Sequence, residues 1–260
     1  MQPLTVSLIQ TATHWHSPSG NRTLFERLFA EVPDDAQIVV LPEMFSTGFT
    51  MSTAEVAEPI GGPTLTWLRE QAVEFGKVIC GSLVIVENGC YYNRFVWVTS
   101  EGSVTSYDKR HLFRMTDEHR HYTAGKQRRT VVVGEWRVCP MICYDLRFPV
   151  WFRNRGDYDV LLCVANWPAE RQQIWNTLLR ARAVENQCYC VGLNIVGTDG
   201  NGVAYSGGSA IYTAEGNVLL EAGELAGVFT TSLEGDALVD YRRRFPAWQD
   251  ADEFSLADES

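Results

Sequence analysis

Residues 38–41 (Ile-Val-Val-Leu) and residues 158–165 (Tyr-Asp-Val-Leu-Leu-Cys-Val-Ala) are nearly continuous in apolar side chains and do not alternate with polar ones. Successive side chains of a strand point to opposite faces. Strands of this kind must therefore be covered on both sides, which requires a sheet with further layers packed above and below it. The rest of the chain supplies the covering. Residues 22–31 carry Leu24, Phe25, Leu28 and Phe29 on one helical face, with Asn21 placed to cap the helix. A second helix runs from Pro63 to a stop at Gly76, with proline inside the start and glycine past the end. Residues 172–185 form a third amphipathic helix.

Further strands are expected at Leu4–Gln10, where Leu4, Val6 and Leu8 alternate with Thr5 and Ser7, and at residues 78–86, 91–99 and 104–107. Asn88-Gly89 is a hairpin turn signal. Val131–Val133 and residues 138–143 pair around Gly134, and residues 148–155 read as a short helix ended by Gly156. Residues 190–195, 209–213, Val218–Glu221 and residues 228–232 complete the strands. The pattern is mixed α/β, in one domain over residues 1–260, with a polar, acidic arm from about residue 235.

Bulk properties exclude several functional classes. The formal net charge of −10 repels phosphate backbones, so nucleic-acid binding is not expected. No apolar run is long enough to span a bilayer, and Met1-Gln2-Pro3-Leu4 does not open a signal peptide. Seven cysteines, an odd number set mostly in apolar strands, imply reduced thiols and a cytoplasmic setting.

Three polar residues each close an apolar strand, where α/β sheets place their ligand crevice. Glu43 ends Val39-Val40-Leu41-Pro42-Glu43. Lys109 follows Tyr107-Asp108. Cys143 ends Cys139-Pro140-Met141-Ile142-Cys143 just before Tyr144-Asp145. Singly, each has an ordinary alternative: a solvated strand end, a surface charge, an inert core thiol. Together they supply a base, an electrophile and a nucleophile without a metal or other cofactor. A carboxylate takes the thiol proton and delivers it to a leaving amine. An ammonium lowers the thiol pKa and, with the backbone N–H of Tyr144, binds the oxyanion.

These segments resemble the signatures of the nitrilase (carbon–nitrogen hydrolase) superfamily. They are Leu41-Pro42-Glu43, Tyr107-Asp108-Lys109-Arg110-His111-Leu112-Phe113 and Ile142-Cys143-Tyr144-Asp145-Leu146-Arg147-Phe148-Pro149. Asn166-Trp167-Pro168 is similar to the family's substrate-pocket segment, and Arg180-Ala181-Arg182-Ala183-Val184-Glu185-Asn186 to its late helix. The resemblance implies a four-layer α-β-β-α sandwich, homodimers and a second glutamate, matched by Glu118, that orients Lys109 and the substrate amide. Cys143 to Pro149 and Glu43-Met44-Phe45-Ser46-Thr47-Gly48-Phe49 resemble the omega-amidases, bacterial ones in particular. These hydrolyse the terminal amide of α-keto acid monoamides such as α-ketoglutaramate.

A small substrate of that kind carries a carboxylate, so Arg114 and Arg147 are candidates to meet it. Phe45, Phe113 and Trp167 are candidate pocket walls, although core packing is the preferred reading for Phe113. Metal and phosphate chemistry find less support. His111, His119, His121 and Glu118 cluster locally and Cys139 and Cys143 are spaced C-x3-C, but neither HExxH nor paired CxxC appears, so no metal is expected. Gly200, Gly202, Gly207 and Gly208 lack a phosphate-binding context and read as turns. Another amide, carbamoyl or nitrile hydrolase, or a silent binding module on the same fold, are the alternatives.

Overall fold

Chain order in the computed structural model, which describes residues 1–256, alternates strands with helices and then turns to hairpins. The first half holds β1 (Leu4–Gln10), α1 (Pro18–Phe29), β2 (Ile38–Val40), α2 (Thr53–Val56), β3 (Glu58–Pro59), α3 (Pro63–Phe75), β4 (Val78–Glu87), β5 (Cys90–Val98) and β6 (Val104–Asp108). After α4 (Glu118–His121) come β7 (Val131–Val133), β8 (Trp136–Ile142), β9 (Val160–Val164), α5 (Gln172–Asn186) and β10 (Tyr189–Leu193). The chain closes with β11 (Val196–Thr198), β12 (Ala204–Ser206), β13 (Ala210–Tyr212), β14 (Val218–Glu221), β15 (Gly227–Leu233) and α6 (Gly235–Arg244).

The strands form two main sheets. One runs β15-β1-β2-β4-β5-β6, with β3 pairing beside β4, and the other runs β14-β13-β10-β9-β8-β7. The alternation of each strand decides which layer its side chains meet. Leu4, Val6 and Leu8 of β1, Ile38 and Val40 of β2, and Phe95 and Trp97 of β5 pack against the second sheet, on Val138, Met141 and Leu161 among others. Their neighbours Ile9, Val39 and Val96 face the other way, onto Phe25 and Phe29 of α1 and Leu65 and Leu68 of α3. The second sheet is covered in turn by Trp175, Leu179 and Ala183 of α5. Helix, sheet, sheet and helix are stacked in that order, the four-layer sandwich expected. The continuously apolar runs are the strands buried on both faces.

Close approach fixes the outer layer. A methyl group on Gly192 of β10 would lie 2.4 Å from Leu179 Cδ1 and 2.9 Å from Trp175. Gly192→Ala is expected to destabilise by about 1–3 kcal/mol through overpacking, read as a lower chemical-denaturation midpoint.

Local chemistry departs from expectation in three places. Asn21 is no cap. Helix α1 begins at Pro18, and the fully buried Asn21 amide donates to the carbonyls of His14 (2.8 Å) and Ser46 (2.7 Å) while accepting from the His14 N–H. Residues 148–155 are not a helix: Pro149 has no N–H and disfavours helical backbone at Phe148. The Asn154 side chain then bonds Tyr158 O, Asn186 O and the N–H groups of Gly156 and Asp157. The stretch from Gly235, expected as a polar arm, begins as α6. Its Leu238 is buried and its Arg242 reaches Gln187 O (2.7 Å), Asp159 Oδ1 (2.6 Å) and Tyr158 O (2.9 Å). Residues 257–260 of the expected arm lie outside the described residues.

Candidate active site

The carboxyl ends of β2, β8 and β9 and the end of β6 converge at one edge of the two-sheet interface. Each delivers one polar residue there. Past β2 the backbone turns at Met44, which adopts a left-handed φ of 44° and is held by its N–H donating to Ser82 Oγ (2.8 Å). That turn separates Glu43 from Phe45. Glu43 points to the strand ends and is fully buried, whereas Phe45 enters the core beside α1 and α3. Phe45 packs edge-on to Phe25 at 5.5 Å and is therefore not a pocket wall.

At the end of β8, Cys143 has φ 47° and opens a single turn of 3-10 helix, Cys143–Arg147. A non-glycine residue in this region stores strain of about 1–3 kcal/mol and persists where surrounding bonds over-determine it. Asp145 supplies those bonds. Its fully buried carboxylate accepts from the Ile142 N–H (3.1 Å), the Tyr107 hydroxyl (2.8 Å) and the His111 N–H (3.0 Å), and pairs with His111 Nδ1 (2.8 Å). One side chain thus fastens the cysteine turn to the segment carrying Lys109. His111, stacked on Phe148 at 3.9 Å, is a structural partner of Asp145.

Lys109 lies between two carboxylates. Its Nζ is 3.0 Å from Glu43 Oε1 and 2.9 and 3.1 Å from the two oxygens of Glu118, and all three side chains are fully buried. Glu118 also accepts the Phe113 N–H at 2.5 Å. Glu43 is fixed by two further residues. Asn93 Nδ2 donates to its Oε1 (2.8 Å), and Asn166 donates its N–H to Oε2 (2.8 Å) and its side-chain amide to the Glu43 carbonyl (2.8 Å). The thiol of Cys143 lies 3.9 Å from Asn166 O. Sequence reasoning missed Asn93, because one polar residue within a buried strand leaves no periodic signal, and it assigned no role to Asp145 inside its motif.

Desolvation and charge oppose one another at these groups. Burial alone pulls the Lys109 ammonium down, but the charges of Glu118 and Glu43 overcome it and hold its pKa well above the ordinary lysine value. That positive charge is spent on the carboxylates. Burial, and then the Glu43 carboxylate, push the Cys143 thiol well above its usual range, and Lys109 only partly opposes them. The ammonium lowers the thiol, as expected, but by less than burial and Glu43 raise it. Burial and Glu43 likewise raise Glu118 against the pull of Lys109.

Above these groups opens a cavity of about 370 Å³ walled chiefly by Phe49, Phe113, Tyr144, Trp167 and Tyr205, with Lys109 and Cys143 in its lining. Tyr144, Asn166, Trp167 and Arg147 line it as expected, and Phe113 does too, contrary to the core role preferred for it. Arg114 is exposed on a one-turn segment outside the cavity. Phe49, Arg171, Asp199 and Tyr205 are lining residues that the sequence did not single out.

A glycine guards the geometry. A Cβ on Gly125 would sit 2.0 Å from the Asp108 carbonyl oxygen, and the Gly125 N–H donates to Lys109 O (2.9 Å). Backbone cannot yield as a side chain does. Gly125→Ala is therefore expected to displace Lys109 and lower kcat by at least about tenfold, since small misplacements of reacting groups are costly. Steady-state kinetics alongside the melting temperature check this.

Comparison with known proteins agrees with this geometry. The carbon-nitrogen hydrolase family model matches residues 5–243. The chain is 45% identical to omega-amidase YafV of Yersinia enterocolitica, over 98% of this chain and all of that one. It is 31% identical to a 2-oxoglutaramate amidase of Bacillus subtilis, over 95% and 96% of the two chains. The crystal structure of a carbon-nitrogen hydrolase superfamily protein of Xanthomonas campestris, with an arsenic adduct in its active site, superposes with a TM-score of 0.97 at 43% identity, over 99% and 100% of the chains. A thiol at a strained strand end, a buried carboxylate–ammonium set beside it and a family match over nearly the full length lead to one conclusion: the chain belongs to the carbon-nitrogen hydrolase family, hydrolases of carbon–nitrogen bonds other than peptide bonds.

Proposed function

We propose that this protein is an omega-amidase. It hydrolyses the terminal amide of an α-keto acid monoamide such as 2-oxoglutaramate (α-ketoglutaramate) to the dicarboxylic keto acid and ammonia. The observation that carries the chemistry is that Cys143 and Lys109 line one cavity while Glu43, buried behind it, lies 3.0 Å from Lys109 Nζ. The substrate class is supported by the 45% identity to an omega-amidase and the 31% identity to a 2-oxoglutaramate amidase.

In this reading the neutral Cys143 thiol attacks the amide carbon as Glu43 takes its proton. The C–N bond then breaks as Glu43 passes that proton to nitrogen, and ammonia leaves the acyl-cysteine. Water enters, Glu43 takes one of its protons, hydroxide adds to the acyl carbon and the C–S bond breaks. The proton returns to sulfur. An ammonium has three donors. Lys109 meets Glu43 through one oxygen and Glu118 through both, and the donor given to the longer Glu118 contact (3.1 Å) is the one that turns to the oxyanion. The Tyr144 N–H, in the first turn of the 3-10 segment where no carbonyl lies one turn back to bind it, is the second oxyanion donor. Glu118 serves to hold Lys109. Because the thiol is held neutral at rest, the base is indispensable. Glu43→Gln is expected to lower kcat by about 10²–10⁴-fold, measured as ammonia released from 2-oxoglutaramate. Failure of the wild-type protein to release ammonia from this compound would refute the omega-amidase reading. The family resemblance further supports a cytoplasmic homodimer, which sedimentation at micromolar concentration tests.

A further inference from the structure

Two polar side chains interrupt the apolar inner face of the first sheet. On β4 and β5 the two-residue period puts Ser82 in line with Cys80, and Asn93 in line with Phe95 and Trp97, all toward the second sheet. Ser82 pairs across the ladder with Phe95, so Asn93 is its diagonal neighbour. Both side chains are fully buried, and a polar group in such a place is costly unless it is hydrogen-bonded. Ser82 is not in the lining of the cavity. Its hydroxyl nonetheless stands at the head of a chain of bonds that ends on the catalytic carboxylate.

The direction of these bonds is forced. The Met44 N–H donates to Ser82 Oγ (2.8 Å), and a backbone N–H can only donate. The single hydrogen of the hydroxyl is then left for Asn93 Oδ1, 2.8 Å away. With its oxygen bound to Ser82, the Asn93 amide must turn its NH2 group to Glu43 Oε1 (2.8 Å). A flipped amide would set its oxygen against the carboxylate. Lys109 Nζ meets the same Oε1 at 3.0 Å. Oε2 accepts the Asn166 N–H (2.8 Å), with the Asn166 amide nitrogen farther off at 3.4 Å. The Asn166 carbonyl is also the group beside which the Cys143 thiol lies, at 3.9 Å. The two oxygens of Glu43 are therefore unequal. Oε1 is closed by two short donors, and Oε2 lies on the side of the thiol.

We infer that Ser82 is a positioning residue for the general base: by fixing the Asn93 amide it keeps Oε1 of Glu43 occupied and leaves Oε2 to take the proton from Cys143 Sγ and return it to the leaving nitrogen. This rests on the reading of Glu43 as the base. No proton travels through Ser82 or Asn93; the hydroxyl and the amide only aim the carboxylate, and a reacting group must be held within about 0.5 Å of its productive place by such neighbours. The backbone of the same serine ties down the segment from which Glu43 projects. Its N–H donates to Pro42 O (3.2 Å) and its carbonyl accepts the Phe45 N–H (3.1 Å), one on each side of Glu43. Those two bonds survive loss of the hydroxyl, so Ser82→Ala separates aiming from folding.

The test applies two measurements to the wild type, Ser82→Ala, Asn93→Ala, their double variant and Glu43→Gln. The melting temperature of Ser82→Ala should fall by no more than about 10 °C, the effect of leaving one or two buried polar groups unpaired in a chain of this size. Ser82→Cys, nearly the same in shape but a weak donor, should lie between wild type and Ser82→Ala in both measurements and serves if the alanine variant melts early. The first measurement is ammonia release from 2-oxoglutaramate. Ser82→Ala is expected to lower kcat about tenfold with KM within about threefold, and Asn93→Ala about 10–100-fold, the range for losing a hydrogen bond to a charged group. The double variant should be no more than about twofold worse than Asn93→Ala, because Ser82 acts through Asn93. The second measurement is alkylation of Cys143 by iodoacetamide, read by intact mass and peptide mapping. It requires removal of the thiol proton and no substrate. It should slow in Ser82→Ala by about the same factor as kcat, and most in Glu43→Gln. Losses that multiply in the double variant, or a fall in kcat with unchanged alkylation, would overturn the inference, since Ser82 would then be merely structural. Unchanged alkylation in Glu43→Gln would remove the base itself and the inference with it. If the wild type ignores 2-oxoglutaramate while alkylation keeps the expected order, the omega-amidase reading falls and the positioning role stands.

Discussion

Cys143→Ala is expected to release no ammonia above background, a loss on the order of 10⁶ in kcat, as for removal of the nucleophile from an acyl-transfer enzyme. The protein should fold nonetheless. Alanine tolerates the left-handed φ of 47° no worse than cysteine, and the hydrogen bond lost with the sulfur, to Asn166 O, is long at 3.9 Å. The turn is held by Asp145, which the substitution leaves in place. The melting temperature should therefore stay within about 3 °C, corresponding to about 1 kcal/mol for a chain of this size. Intact-mass spectrometry adds a sign that activity alone cannot give. The wild type mixed with substrate should show an acyl adduct mapped to Cys143, and the alanine variant none. Residual turnover in this variant would remove the covalent mechanism.

Lys109→Met is expected to fail in two respects. It removes the cation between Glu43 and Glu118, leaving two fully buried carboxyl groups that previously shared one ammonium. Breaking a buried ion set by deleting one partner costs about 3–5 kcal/mol, far more than an exposed pair would. Turnover should fall by about 10²–10³-fold with the oxyanion donor gone. The pH dependence identifies the cause. Without Lys109, burial and the neighbouring Glu43 charge raise the folded-state pKa of Glu118 further above its unfolded value, because the one charge that opposed them is gone. The folded variant then holds protons that the unfolded chain releases, so its stability declines as pH rises past the unfolded carboxylate pKa and recovers as pH falls. Urea denaturation at pH 5 and pH 8 should show a smaller deficit relative to wild type at pH 5. In the wild type, Lys109 itself works in the opposite window. Its raised pKa contributes stability that is fully present below the unfolded lysine value and lost only as pH climbs through the folded one. A deficit independent of pH would mean that the lost contact is packing rather than charge.

Much of the fold is legible because periodicity is a local property. The double-sided burial of residues 38–41 and 158–165, the Pro63 start and Gly76 stop of α3, and the Asn88-Gly89 turn, where both residues take positive φ, all follow from neighbours in the chain. Where a side chain takes a distant backbone partner, local rules fail. Asn21 bonds the Ser46 carbonyl instead of capping its helix, and Asn154, at the end of the expected helix over residues 148–155, bonds the distant Asn186 carbonyl and the turn after it. The stretch from Gly235 looks like a free arm because its polar residues dominate, yet Arg242 anchors it to Asp159.

The same division runs through the site. Glu43, Lys109 and Cys143 announce themselves as reactive groups at the ends of apolar strands, and the short motifs around them identify the family. The sequence by itself therefore determined the layered architecture, the family and the chemical types of base, ammonium and thiol. Tertiary structure alone decided that Lys109 is flanked by two carboxylates, that burial and Glu43 hold the Cys143 thiol above its usual range, that Phe45 belongs to the core and Phe113 to the pocket, and that Arg147 has no ion-pair partner among the described residues. Residue type and strand period are set along the chain. Desolvation and ion pairing depend on which groups from distant segments share the same few ångströms, and only the packed sheets bring those together.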